Sequence, residues 1–220
     1  MSEEENIRVY QPWSAPLLHF NLSVDKIKDL LEITDLALED ENKKSYNDKL
    51  AGEIENEWEI PDYENLATAI DLPNISLTYF KVFASQNYEE TEGDNTNVFQ
   101  NVAVFAQNLE KSGLNSAWFN DQRDNEYNPI HNHTGILSGV LYLKIPEYLP
   151  SRKTEDTDGA ISFVGTESKT DGIMTNSTLT ISPKVGDLFL FASSLKHQVY
   201  PFRTTDGTGI RRSLSFNIGQ

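Results

Sequence analysis

Apolar residues in the first third of the chain recur at helical spacing. Ser23 is followed by Asp25 and then by Ile27, Leu30, Leu31 and Leu38, which predicts a helix over Val24–Glu39 capped by the serine. Ile7–Pro12 reads as extended chain and Asp40–Asp48 as a polar loop. Leu50–Trp58 and Tyr63–Ile70 have poor periodicity and read as short helical or irregular pieces. Ile75–Ala84 is an apolar run that fits strand or helix equally. Asn87–Asn97 has loop composition, and Phe99, Val102, Phe105 and Leu109 predict a helix over Val98–Lys111.

From Leu114 the period shortens. Asn115–Asn120, Gly135–Ile145, Ala160–Val164, Thr178–Ser182, Asp187–Ala192, His197–Phe202 and Arg211–Ile218 are short apolar or alternating segments separated by Gly, Pro, Asn and Asp. Seven or eight such strands predict an antiparallel sandwich or barrel, because the gaps are too short for the crossovers of a parallel sheet. The expected class is therefore mainly β with N-terminal helices. A single domain is expected over 1–220, with a helix-containing support region (1–112) and a β core (113–220). The polar stretches Ser151–Asp158 and Gly165–Asn176 read as long loops.

Composition adds an asymmetry. The formal net charge is −16, with 22 acidic and 7 basic side chains in residues 1–100 but 12 and 11 in the remainder. That balance disfavours general attraction to nucleic acid or anionic lipid. It leaves the β half nearly neutral. No apolar run reaches the roughly 18 residues of a membrane span, and the acidic start Met1–Asn6 is unlike a signal peptide. With no cysteine, thiolate metal sites and disulfides are excluded. A cytoplasmic protein is expected, in the host cytoplasm if the source is viral.

The chain has four histidines. His131 and His133 are two residues apart, so on an extended segment they face one side. His197 opens a later β segment and can reach the same point in an antiparallel barrel. Three neutral imidazoles suit Fe, Zn, Cu or Ni and leave open positions, although such a pair also occurs by chance on surface loops. His19, in Leu17–Phe20, reads as a packing residue. In the last segment, period two places Arg211, Ser213, Ser215 and Asn217 on one face and Arg212, Leu214, Phe216 and Ile218 on the other. The polar face either meets water or lines a cavity in which Arg211 grips a carboxylate with its planar fork.

The ordered set Trp118-Phe-Asn120, Tyr127, His131-Asn-His133, Leu137–Tyr142, Gly186–Phe191, His197–Pro201 and Arg211–Asn217 resembles the 2-oxoglutarate/Fe(II) oxygenases of the phage type, related to the prolyl hydroxylases. The resemblance spans residues 114–218 and implies a double-stranded β-helix, the jelly roll also found in cupins. It implies Fe(II) on His131, His133 and His197, with 2-oxoglutarate and molecular oxygen as co-substrates. Arg211 would bind the far carboxylate of 2-oxoglutarate with help from Ser213, and Tyr127 or Tyr142 would add a hydroxyl. Asn132, Asn217 or backbone carbonyls would orient the imidazoles. The implied reaction couples oxidative decarboxylation of 2-oxoglutarate to hydroxylation of a substrate, with a protein, peptide or free amino acid favoured and nucleic acid disfavoured. A homodimer is left open.

One departure bears on activity. The usual ligand set is two histidines and a carboxylate, whereas here the second position is His133. Two rival readings follow. One is a cupin-like three-histidine metalloprotein, an oxygenase or isomerase that does not use 2-oxoglutarate. The other is a phage structural protein that retained the jelly roll without the chemistry.

Overall fold

Eight strands follow Leu114 and alternate between two antiparallel sheets. The computed structural model describes residues 7–10, 15–88, 113–150, 157–165 and 177–219. The strands are β4 (Leu114–Gln122), β5 (Asn128–His131), β6 (Leu137–Lys144), β7 (Ile161–Val164), β8 (Thr178–Ile181), β9 (Asp187–Ala192), β10 (Lys196–Val199) and β11 (Arg211–Ile218). β5-β10-β7-β8 form the small sheet, and β9-β6-β11-β4 form the centre of the large one. Consecutive strands cross between the sheets, save the β7–β8 hairpin, so the barrel is a double-stranded β-helix. The large sheet is extended at one edge by β2 (Leu17–Asn21) and β1 (Ile7–Tyr10), and at the other by β3 (Glu57–Glu59).

The sequence patterns account for most of these elements. Helix α1 spans Val24–Glu39, and Ser23 accepts the Lys26 N–H at its start. The ambiguous Ile75–Ala84 run lies inside a second long helix, α3 (Leu72–Tyr88), which follows the short α2 (Tyr63–Ala69). Glu57–Glu59, read as irregular or helical, is instead an edge strand paired with Trp118–Asn120. β5 escaped the pattern because it has only four residues, one of them Pro129. It lies at the edge of its sheet, where a missing N–H costs no ladder bond. The predicted helix Val98–Lys111 and most of the Asn87–Asn97, Ser151–Asp158 and Gly165–Asn176 stretches lie outside the described residues.

Alternation divides the apolar side chains between two cores. Leu18, Leu141, Leu188, Leu190, Leu214 and Phe216 face outward and bury against α1, α2 and α3. Their neighbours Leu17, Val140, Tyr142, Phe189 and Phe191 face inward and meet Ile161, Phe163 and Val199 of the small sheet. β6 is buried along nearly its whole length because both its faces are covered.

Gly139, opposite Phe216 on the outward face, is required by that packing. A Cβ there would lie 2.2 Å from the Phe216 ring. Gly139→Ala is expected to overpack the layer and cost about 1–3 kcal/mol, read as a fall in Tm of about 2–4 °C per kcal/mol.

Candidate active site

The end of β5 and the start of β10 bring two histidines together. His131 and His197, 66 residues apart in sequence, are cross-strand partners on neighbouring strands, with ring centroids 4.3 Å apart. His133 completes the group by a different route from the one its spacing implied. β5 ends at His131, so His133 lies in the following loop, where its backbone N–H donates to Ser193 O at 2.9 Å. The pair converges because the loop is pinned, not because a strand continues. One nitrogen from each of the three imidazoles falls within 4.8 Å of the others.

Hydrogen bonding and burial prepare these rings for a cation. His131 Nδ1 lies 2.7 Å from Pro129 O and His197 Nδ1 3.0 Å from Leu195 O. A carbonyl only accepts, so each Nδ1 carries the proton and each Nε2 keeps its lone pair. Backbone carbonyls thus orient these rings, whereas Asn132 is exposed and Asn217 bonds Ser138 and Ser116. Desolvation, reinforced by the neighbouring imidazoles, depresses the basicity of His197 strongly and brings His133 to about 4; burial also lowers His131. The rings are therefore neutral, as metal ligands must be. His133 Nε2 and His197 Nε2 are 3.2 Å apart. Two nitrogens separated by that distance could both lie about 2.1 Å from one ion. The cluster fits a first-row divalent metal.

The cavity beside the imidazoles is lined by Trp118, Asn120, Asn128, Tyr142, Arg211 and Ser213, among others. This resolves the two readings of β11: its polar face points into the barrel and its apolar face toward the helices. Arg211 is 1% exposed. Its guanidinium donates to Gly159 O and Gln122 Oε1 and lies 5.4 Å from the centre of the Tyr142 ring. Both acceptors are neutral. Arg211 Nε, the Tyr142 hydroxyl, Asn120 Oδ1 and Asn128 Oδ1 are buried without a hydrogen-bond partner among the described residues. An orphaned guanidinium N–H and an orphaned phenol in one cavity fit a carboxylate-bearing ligand. Burial pushes the Tyr142 hydroxyl up to about 12, against the pull of Arg211, so it remains a donor.

Tyr127, the other candidate hydroxyl, lies apart from this group. It is 41% exposed and outside the cavity lining, and its backbone carbonyl accepts the Glu53 N–H at 2.9 Å. His19 also lies elsewhere, 2.9 Å from Asp187 Oδ1 and stacked on Phe189. Sequence reasoning missed Gln122 and Asn128. Gln122 was detectable, since it is two residues beyond Asn120 on the same face of β4. No helix among the described residues is long and apolar enough to cross a membrane.

Residues 116–217 match the family model described as "Putative 2OG-Fe(II) oxygenase". No curated protein matches the chain. Among solved structures, a Pseudomonas putida prolyl-4-hydroxylase is 13% identical, covering 99% of this chain and 94% of that one, with a TM-score of 0.49. HygX from Streptomyces hygroscopicus, solved with nickel, 2-oxoglutarate and hygromycin B, is 12% identical, with 92% and 82% covered and a TM-score of 0.46. SnoN, a non-heme alpha-ketoglutarate-dependent epimerase from nogalamycin biosynthesis, is 11% identical, with 91% and 76% covered and a TM-score of 0.46. The barrel of this chain, from its first strand to its last, thus matches the 2OG-Fe(II) oxygenase family, whose cofactors are ferrous iron and 2-oxoglutarate, and its three imidazoles fit the metal.

Proposed function

We propose that the protein is a hydroxylase that couples oxidative decarboxylation of 2-oxoglutarate to oxidation of a C–H bond, with His131, His133 and His197 holding the metal. The observation that carries this reading is the Arg211 guanidinium, fully buried, donating to the neutral acceptors Gly159 O and Gln122 Oε1, in the same cavity as the three imidazoles. Ferrous iron with 2-oxoglutarate and oxygen supplies the oxidising chemistry. The chain's own residues bind, orient and exclude water. Arg211 Nε and the Tyr142 hydroxyl donate to the far carboxylate, with the Ser213 hydroxyl beside them on β11. The carbonyls of Pro129 and Leu195 keep two Nε2 lone pairs aimed at the ion. Ile161, Phe191 and Val199 close the cavity on its apolar side. The cavity encloses about 30 Å³, so a five-carbon diacid enters only as lining side chains change rotamer, a common adjustment on binding.

The resemblance to phage-type oxygenases related to prolyl hydroxylases supports a protein, peptide or free amino acid as substrate. Arg211, which forms no ion pair with a carboxylate among the described residues, favours this assignment over a cupin-like protein that dispenses with 2-oxoglutarate, which has no fixed need for an arginine there. The test is anaerobic addition of Fe(II) and 2-oxoglutarate. A visible charge-transfer band of the chelated keto acid is expected, with at least a roughly 30-fold loss of 2-oxoglutarate affinity in Arg211→Met, since truncating one member of a buried charged pair costs 2–5 kcal/mol or more. No band with iron bound would leave a three-histidine metalloprotein without this co-substrate.

A further inference from the structure

Gln122 is fully buried, and both ends of its amide are engaged. Its Oε1 accepts from Arg211 Nη2 and its Nε2 donates to Glu126 O. Arginine only donates and a carbonyl only accepts, so the amide can sit in one orientation only. The residue thus ties the guanidinium to the turn between β4 and β5. Gly159 O holds the other end of the fork. Arg211 and Gln122 are also register partners on adjacent strands, so this geometry follows from the sheet itself.

The chemical type at position 122 decides what the cavity can hold. Glutamate would have the same length and would set a carboxylate oxygen against Arg211, while its second oxygen would face the Glu126 carbonyl in place of the amide that donates to it. Its charge would then cancel that of the guanidinium, and an incoming carboxylate would meet a net-neutral pair carrying a competing anion. Glutamine holds the fork in place while leaving its full charge for the ligand. We infer that Gln122 is a positioning residue: a neutral clamp that orients Arg211 and sets the affinity and selectivity of the cavity for a keto acid bearing a second carboxylate. The inference rests on the reading of Arg211 as the carboxylate anchor.

The test is anaerobic titration of the Fe(II)-loaded protein with 2-oxoglutarate and, separately, with 2-oxopentanoate, which keeps the chelating keto acid and lacks the far carboxylate. The wild type is expected to bind 2-oxoglutarate much more tightly than 2-oxopentanoate. In Gln122→Glu, affinity for 2-oxoglutarate should fall at least tenfold while affinity for 2-oxopentanoate and for Fe(II) stays within twofold. Gln122→Met, which keeps the bulk and removes the clamp without adding charge, should give a smaller loss confined to 2-oxoglutarate. Equal losses for both keto acids in either variant would mean that Gln122 merely supports the fold. Undiminished 2-oxoglutarate affinity in Gln122→Glu, with Arg211→Met defective, would overturn the clamp and leave the anchor standing. A wild type that does not distinguish the two keto acids would overturn the anchor itself.

Discussion

His197→Ala is expected to lose Fe(II) and, with it, all 2-oxoglutarate decarboxylation. His197 is 4% exposed and stands opposite His131 across the β5–β10 ladder, and among the described residues the ligand cluster consists of His131, His133 and His197. Outer-shell partners alone are worth 10–100-fold in metal affinity, so a direct ligand should cost at least about 100-fold. Iron retained after desalting, measured against protein, is the readout, and succinate release is the second. His19→Ala is the control. His19 belongs to a separate pair with Asp187, so its removal should leave iron stoichiometry unchanged. Retention of a full equivalent of iron by His197→Ala would remove the three-imidazole site. His133→Asp adds a sharper comparison, since it restores the usual two-histidine, one-carboxylate set. It should keep iron while lowering stability without metal, because a carboxylate buried there then has no cation to offset its desolvation.

The largest effect on stability is expected at Asp121. Arg212, next to Arg211 but on the opposite face of β11, is 3% exposed. Its Nε and Nη2 donate to the two oxygens of Asp121, both at 2.6 Å, and its Nη1 donates to Asp35 and to Thr34 on α1. The planar fork therefore staples the first helix to the barrel. Asp121→Ala leaves the buried Arg212 cation with the half-exposed Asp35 in place of its bidentate partner, which costs about 3–5 kcal/mol, or a fall in Tm of about 10 °C or more. Asp35→Asn should cost about 1 kcal/mol or less, because that side chain is 50% exposed and its interaction is screened. Comparable losses in the two variants would contradict this division.

The same pair sets a pH dependence. Burial works against ionisation of Asp35, but the Arg212 hydrogen bond and the nearby Lys144 outweigh it and hold the carboxyl below its ordinary value. A depressed carboxylate stabilises the fold fully above its unfolded pKa and loses that contribution as pH falls through the folded value. Asp35→Asn should therefore flatten part of the acid limb of the stability curve below about pH 4.

Much of the fold was legible because its signals are local. Ser23 and the 3.6-residue recurrence after it specify α1, since capping and amphipathicity act within a few turns. Alternation in Leu137–Lys144, Asp187–Ala192 and Arg211–Ile218 specifies strands, since successive side chains must face opposite ways. Glu57–Glu59 and Asn128–His131 were not legible as strands. Three or four residues carry too little pattern, and each is held mainly by a neighbour distant in sequence.

The acidic balance of residues 1–100 also changes meaning against the structure. Glu57 is almost fully buried, and desolvation aided by Glu126 raises its carboxyl to about 8. This acid is therefore mostly protonated, and adds little charge, near neutral pH.

The sequence by itself determined the candidate residues: three histidines, an arginine fourteen positions after the last of them, and the two faces of the final strand. It could not decide which face of β11 is dry, because alternation defines two sides but not what covers each. The structure decided that α1, α2 and α3 cover the apolar side, leaving Arg211 and Ser213 in the barrel. It also decided that His133 turns toward its partners from a loop, held by the bond from its N–H to Ser193 O. Gln122 acquires a role only because β4 and β11 lie side by side. Residue types and periods are written locally along the chain, whereas convergence on one point depends on pairing between strands far apart in it.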